Sequence, residues 1–333
     1  MNTQVLSLLK RFGWNATSFQ TLEDGFEYWF DGDGVVAYVD TGRAWVAAGP
    51  PITSFENMAV IAERFCAVAR AHHKRACFFG PEQRFIDAWR GRSMIIGEQP
   101  VWDPRIWPSL VAEHRSLREQ LRRARAKDVC VRRLESSEVV DPTHPTRRDL
   151  DHLIQRWLAA RHLAPMAFVV RIEPFSFATE RRYFIAERDG IIIGFLALIP
   201  IYARGGWFLD DLVKDPHAPN GTVESLVNAA MNMLAAEGCG YATLGLAPLA
   251  GAVHVPLRAV RRTSRALYSF SGLLAFKNKL RPARWDPIYI AYNAKTRTTT
   301  TGPRIRVAIP KRQSGPFAKA RRISKSAIVA EPL

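Results

Sequence analysis

Arg182-Tyr183-Phe184-Ile185-Ala186-Glu187-Arg188-Asp189-Gly190, running on through Ile191 to Ile199, opens the stretch whose reading decides the fold. Two β-rich runs flank an Arg-Asp-Gly turn, which predicts a hairpin. Trp207 to Leu212 reads as a third strand. Val223, Leu226, Val227, Ala230 and Leu234 then recur at helical spacing, predicting a helix from about Thr222 to Ala236. Tyr241 to Leu246 closes the unit as a further strand.

Outward from this stretch, the same order occurs once before. Phe26–Phe30 and Val35–Val39 are joined by Asp31-Gly32-Asp33-Gly34, a strong hairpin signal, and Ala44–Ala48 follows as a third strand. A helix is expected from about Ser54 to His72, with Met58, Ile61, Phe65 and Val68 on one face, and Ala76–Phe79 as the closing strand. An order of strand, turn, strand, strand, helix, strand resembles the GNAT-type N-acetyltransferase fold. The expectation is therefore an α+β protein of two tandem GNAT-like domains, each a mixed central sheet flanked by helices. The boundaries fall at 1–107 for the first domain, 108–128 for a linker helix, 129–295 for the second, catalytic domain and 296–333 for a basic tail expected to be disordered.

The chain has 333 residues and is 47% hydrophobic and 23% charged, so two packed cores are feasible. Cys66, Cys77, Cys130 and Cys239 are scattered, with no CxxC pair and no Cys/His cluster. That argues against a disulfide scaffold or a metal site and fits a reducing cytoplasm. Residues 1–12 lack the apolar length of a signal peptide. The longest apolar run, Gly190 to Ala203, falls short of the roughly 20 residues a membrane-spanning helix needs. The expected location is the cytoplasm, with peripheral association at the inner membrane face allowed by the charge.

A formal charge of +16 points to a polyanionic partner, nucleic acid or an anionic lipid surface. It is concentrated in two places. Pro108–Lys127 sets Leu110, Leu117, Leu121 and Ala124 on one helix face and crowds the other with basic residues, among them Arg118, Arg122, Arg123 and Arg125. Those four are the expected tRNA-binding residues, the bland reading being a solvated linker face. The second place is the tail, where ten of the residues from Lys295 to Lys325 are Lys or Arg.

Acetyl-CoA enzymes of this fold carry a glycine-rich loop at the start of the main helix, where backbone N–H groups cradle the pyrophosphate. The equivalent loops here are Asp215-Pro216-His217-Ala218-Pro219-Asn220-Gly221 and Gly49-Pro50-Pro51-Ile52-Thr53. Both lack the run of glycines, and their prolines remove donors.

Three segments carry a more specific resemblance: Leu209 to Gly221, Leu244 to Gly251, and Tyr268 to Lys279 continuing to Trp285. They resemble the soluble catalytic domain of lysylphosphatidylglycerol synthase, and Ser116–Ala124 is similar as well. The resemblance covers roughly residues 20 to 293. It implies a tandem acetyltransferase-like fold that moves an amino acid from aminoacyl-tRNA to a hydroxyl of phosphatidylglycerol or another lipid, without cofactor or metal. It also implies two partners, aminoacyl-tRNA and an anionic lipid or membrane surface. Full-length members add an integral-membrane half, which nothing in these residues resembles. The family pattern places an acidic residue between the Ala-Pro-Leu and Tyr-x-Phe runs. Nothing from Ala247 to Trp285 is acidic, so the amino acid stays unassigned.

An ester on the tRNA 3′ ribose is already activated, so transfer to an alcohol needs positioning and a base or charge stabiliser. Asp210, ahead of Asp211, is the expected base or binder of the aminoacyl ammonium. As neighbours on a strand they should alternate faces, leaving one in the cleft. Lys277 joins the two aspartates in the expected catalytic set and, with Lys279 and Arg281, is expected to hold phosphates of the tRNA end or of a headgroup. Asn220 and Gly221 read first as a helix cap whose N–H groups could meet an oxyanion. Pro248 and Tyr268 complete the expected substrate-binding set, Tyr268 sharing a strand face with Phe270. Two other functions fit the sequence less well: an acyl-CoA N-acyltransferase, and a non-catalytic RNA- or membrane-binding protein.

Overall fold

A computed structural model describes residues 2–160, 174–248, 250 and 270–293. Tyr268 and the basic tail lie outside the described residues.

In chain order the first half comprises α1 (Asn2–Phe12), β1 (Glu27–Asp31), β2 (Gly34–Asp40), β3 (Ala44–Ala48), α2 (Phe55–Ala71), β4 (Arg75–Glu82), α3 (Gln83–Ala88) and β5 (Arg92–Trp102). Gly32-Asp33 makes the tight turn, with Asp31 paired to Gly34. β1, β2 and β3 are antiparallel, and β4 returns parallel to β3 after the crossover helix α2. Met58, Ile61, Phe65 and Ala69 of α2 pack on Tyr38, Trp45 and Phe78.

Next come α4 (Trp107–Glu113), α5 (Arg115–Arg125), β6 (Cys130–Leu134), α6 (Ser137–Val140) and α7 (Pro145–Ala159). The second half continues with β7 (Arg182–Arg188), β8 (Ile191–Ile201), β9 (Gly206–Lys214), α8 (Thr222–Ala236), β10 (Ala242–Thr243), β11 (Ala247–Pro248), α9 (Phe270–Lys279) and β12 (Arg284–Tyr292). β7, β8 and β9 are antiparallel, and β10 is parallel to β9. The pairing senses of the first half thus recur in the second. Leu226, Val227, Ala230 and Leu234 of α8 pack with Leu196, Leu198 and Leu209 of the sheet and with Leu117 and Ala124 of α5.

One sheet runs through both halves in the order β1-β2-β3-β4-β12-β5-β10-β9-β8-β7-β6. β12, last in sequence, lies between β4 and β5 and hydrogen-bonds to both. The fold is α+β, a mixed sheet with flanking helices, as the sequence led us to expect.

Two local readings need correction. Residues 270–279 are helical, so the strand alternation expected for Phe270 does not apply. Leu273, Lys277 and Leu280 are buried at a spacing of four and three, a helical period. The strand expected over Tyr241–Leu246 is only Ala242–Thr243 long, because the chain then leaves β9 and pairs through β11 with Gly97 and Glu98 of β5.

Candidate functional site

β9 and β10 are hydrogen-bonded only at Ala242–Trp207 and Thr243–Phe208. Beyond that point β9 continues as Leu209–Lys214 without β10 beside it. The two acidic residues stand where the strands part. Register against β8 jumps there: Ala197 faces Asp211, whereas Leu198 faces Leu209. Asp210 is the extra residue of a β-bulge, and a bulge breaks the strict alternation of side chains. The expectation that one aspartate faces the cleft and the other turns away is therefore overturned. Both are buried, with Arg181 Nη1 at 3.7 Å from Asp210 Oδ2 and 3.9 Å from Asp211 Oδ2.

Arg181 ends the short 3-10 turn Ala178–Glu180 ahead of β7, and its side chain is fully buried. Its Nε donates to the Ser176 carbonyl at 2.8 Å and its Nη2 to Ser176 Oγ at 3.2 Å. Nη2 also lies 3.7 Å from Glu23 Oε1, and the guanidinium sits over the Phe19 ring. Gln20 Nε2 donates to Asp210 Oδ1 at 2.8 Å. The residues 19–23 turn of the first half thus meets β9 of the second across a buried carboxylate cluster. Among the described residues, neither oxygen of Asp211 accepts a hydrogen bond. A buried carboxylate without hydrogen bonds is costly. Among the described residues the Arg181 guanidinium is the cation that offsets it.

Lys277 is not an exposed phosphate ligand. It is buried, and its ammonium donates to three successive carbonyls, Leu244 (3.0 Å), Gly245 (2.8 Å) and Leu246 (3.0 Å). Desolvation by burial pulls its pKa from 10.5 down to about 7. All three donors are spent on the segment that carries β10 over to β11. The end of α9 is tied to the first half, Trp102 Nε1 donating to the Leu280 carbonyl at 2.8 Å. Lys279 is ion-paired with the buried Glu224 in the first turn of α8. Arg281 is exposed in a left-handed conformation, φ +53°. Pro248 is half-buried in β11, beside Gly97.

Asn220 is exposed, and Gly221 caps α8 at φ +95°. A Cβ on Gly221 would sit 2.4 Å from the Gln120 carbonyl and 3.0 Å from Ala124 Cβ. Helix α5 therefore lies on the N-terminus of α8, where the pyrophosphate of an acyl-CoA would otherwise be cradled. Leu117, Leu121 and Ala124 of α5 are buried, and Arg115, Arg118, Arg122, Arg123, Arg125 and Lys127 are exposed. Arg122 and Arg123 share Glu119 at 2.9 and 2.8 Å, and Arg118 donates to the Ala112 carbonyl. The apolar stripe Leu117, Leu121 and Ala124 and the basic face agree with the sequence expectation. The single linker helix expected over 108–128 is instead broken at the extended His114, which leaves Leu110 half-buried on α4.

Sequence reasoning missed Gln20, Glu23 and Arg181. They come from turns that no periodicity marks, and Gln20 and Glu23 reach this cluster only through the contact between halves.

A repeated acyltransferase-like sheet, with an acidic pair where β9 and β10 part, defines an α+β scaffold of the acyl-transfer type. The chain matches the family described as phosphatidylglycerol lysyltransferase, C-terminal, over residues 6–292, and it belongs to that family. It is 31% identical over 126 residues to a phosphatidylglycerol lysyltransferase of Bacillus subtilis, an alignment covering 35% of this chain and 15% of that relative. Among solved structures it is similar to the C-terminal domain of a provisionally named lysylphosphatidylglycerol synthetase from Agrobacterium fabrum. That match has a TM-score of 0.73 and 22% identity, covering 87% of this chain and 91% of the other. L-PGS from Bacillus licheniformis gives a TM-score of 0.73 at 19% identity over 88% and 91%. FemX shares the fold more distantly, with a TM-score of 0.54 at 10% identity over 88% and 94%. No helix among the described residues is long and apolar enough to cross a membrane, and no metal-ligating cluster occurs among them.

Proposed function

We propose that this chain transfers an aminoacyl group from aminoacyl-tRNA to a hydroxyl of a lipid acceptor, phosphatidylglycerol or a related glycerolipid, at the aspartates of β9. The observation that carries the reading is the bulge that turns Asp210 and Asp211 onto Arg181 in a chain of this family. The acceptor oxygen forms a new ester bond to the aminoacyl carbonyl carbon while the bond to the ribose oxygen breaks. The acceptor's proton passes to the Asp211 carboxylate and then to the departing ribose oxygen, so no proton is gained or lost overall. Asp210, held by Gln20 and Arg181, fixes the bulge. Lys277 acts through the backbone, holding the Leu244–Leu246 carbonyls. The α5 arginines contact tRNA phosphates, a role supported by their exposure and by the net charge of +16. Association would be peripheral, at an anionic bilayer surface.

The acyl-CoA alternative fits poorly, because α5 occupies the α8 N-terminus. The direct test incubates the protein with a full set of radiolabelled aminoacyl-tRNAs and phosphatidylglycerol vesicles. Label moving into the lipid fraction from at least one tRNA is the expected result. No loss of label from any tRNA would sink the proposal.

A further inference from the structure

Three buried carboxylates surround one guanidinium where the halves meet. Glu23, Asp210 and Asp211 are 5%, 6% and 1% exposed, and Arg181 stands 3.7, 3.7 and 3.9 Å from them. Its plane is fixed, because Nε and Nη2 donate to Ser176 and the Phe19 ring lies 5.2 Å away. The fork is thereby divided. Nη2 faces Glu23, and Nη1 faces the two aspartates. Nη1 is buried and makes no hydrogen bond among the described residues, its distances to both aspartates being too long for one. What Arg181 gives Asp211 is therefore charge, in a setting where water is excluded and charge acts strongly.

The other charged and titratable groups around Asp211 have partners of their own. Tyr183 of β7 is near Asp211, but its hydroxyl donates to the Pro174 carbonyl and burial pushes its pKa upward, so it stays neutral. Arg147 of α7 is engaged by Asp151 and the Val139 carbonyl, with its guanidinium over Phe175. Glu180, the neighbour of Arg181 in sequence, is paired with Lys10 and accepts from the Tyr202 hydroxyl. From β8 the residue opposite is Ala197. Among the described residues, Asp211 is thus set by one cation, Arg181, and by the two anions that share it, Asp210 and Glu23. A carboxylate must be ionised to take a proton from an acceptor. A guanidinium close by favours that form, and another carboxylate opposes it.

We infer that Arg181 is a positioning residue that keeps Asp211 ionised, and that Glu23, brought in by the first half, competes for the same guanidinium and sets how acidic a medium the site tolerates. The inference rests on the transferase reading for the role of Asp211 as base. The balance of charge at the cluster stands apart from that reading.

Transfer to phosphatidylglycerol vesicles is measured against pH for the whole chain and for Arg181→Gln, Arg181→Lys and Glu23→Gln, with kcat and KM separated. Arg181→Gln removes the charge and should move the acidic limb of kcat up by about one pH unit or more, the size expected for a lost opposite charge at this range. Arg181→Lys keeps the charge and should keep the limb while lowering kcat. Glu23→Gln removes the competitor and should move the limb the other way. Lower kcat in every variant with the limb unmoved is the mark of a merely structural role and overturns the inference. A shift of both Gln variants in one direction does the same. Glu23→Gln preserves shape and decides the matter alone where Arg181→Gln does not fold. Infrared titration of the protein by itself reads the same balance, the Asp211 carboxyl being the band that Asp211→Asn removes. Opposite shifts of that band in the two Gln variants, with no label leaving any tRNA, would keep the charge assignment and sink the transferase. Transfer with limb and band both unmoved would do the reverse.

Discussion

The two halves repeat one topology and put it to different ends. In the first, β3 and β4 stay paired over five positions, from Ala44–Arg75 to Ala48–Phe79. In the second, β9 and β10 hold together for two and then part. The segment ahead of α2 is tied to the sheet by the Val35–Ile52 bridge, whereas the segment ahead of α8 is covered by α5. A crossover unit that stays closed is a wall. The same unit, opened by a bulge and an early strand exit, gathers two buried carboxylates on Arg181 where its strands part. Repetition supplies the scaffold, and local departures from it supply the site.

The largest effect expected from breaking this contrast is at the bulge. Asp211→Asn should lower transfer by about 100-fold or more, the range for loss of a general base. Asp40→Asn, at the surface end of β2, should leave transfer unchanged. Equal loss in both, or in neither, measured as label moved to lipid, would erase the distinction between halves. Gly221→Ala comes next. It forces a Cβ into a left-handed residue against the Gln120 carbonyl and should cost about 2–5 kcal/mol in denaturant unfolding. Gly32→Ala, in the open hairpin turn of the first half, should cost only about 1 kcal/mol.

Lys277 gives a pH-dependent test. Its pKa is about 7 in the folded protein against 10.5 for a free lysine, so between these values the unfolded chain carries the extra proton. Stability from this group therefore rises with pH across that window and is lowest below it. Relative to Lys277→Met, the wild type should gain in chemical denaturation on going from pH 7 to pH 9.5. A constant difference would show that the ammonium is not desolvated. The smallest effect concerns α5. Replacing Arg115 and Arg125 by serine should weaken tRNA binding modestly and reduce the salt slope by about 0.7–0.9 for each phosphate no longer neutralised. An unchanged slope would return α5 to the status of a solvated linker.

Much of the scaffold was legible in the chain. Apolar spacing of Val223 to Leu234 and of Met58 to Val68 fixed both crossover helices, and Asp-Gly turns fixed the hairpins. The basic face of α5 was legible for the same reason, as a helical period in charge. What periodicity could not carry was any departure from it. The bulge at Asp210 adds one residue without a sequence mark, and it turned an expected alternation into a pair. Lys277 read as a phosphate-holding cation because its carbonyl partners are backbone atoms, invisible in a side-chain pattern. Arg181, Gln20 and Glu23 are scattered over some 160 residues of sequence and meet only through the joining of the halves.

The placement of β12 constrains how this molecule comes into being. Its residues 284–292 lie between strands made some 200 residues earlier. On the ribosome, β4 and β5 must wait for them with ladder groups unmet. Contacts so distant along the chain slow folding and prolong exposure of strand edges. The first half is thus complete in sequence long before it is complete in structure, and cutting the gene between the halves would divide one folding unit.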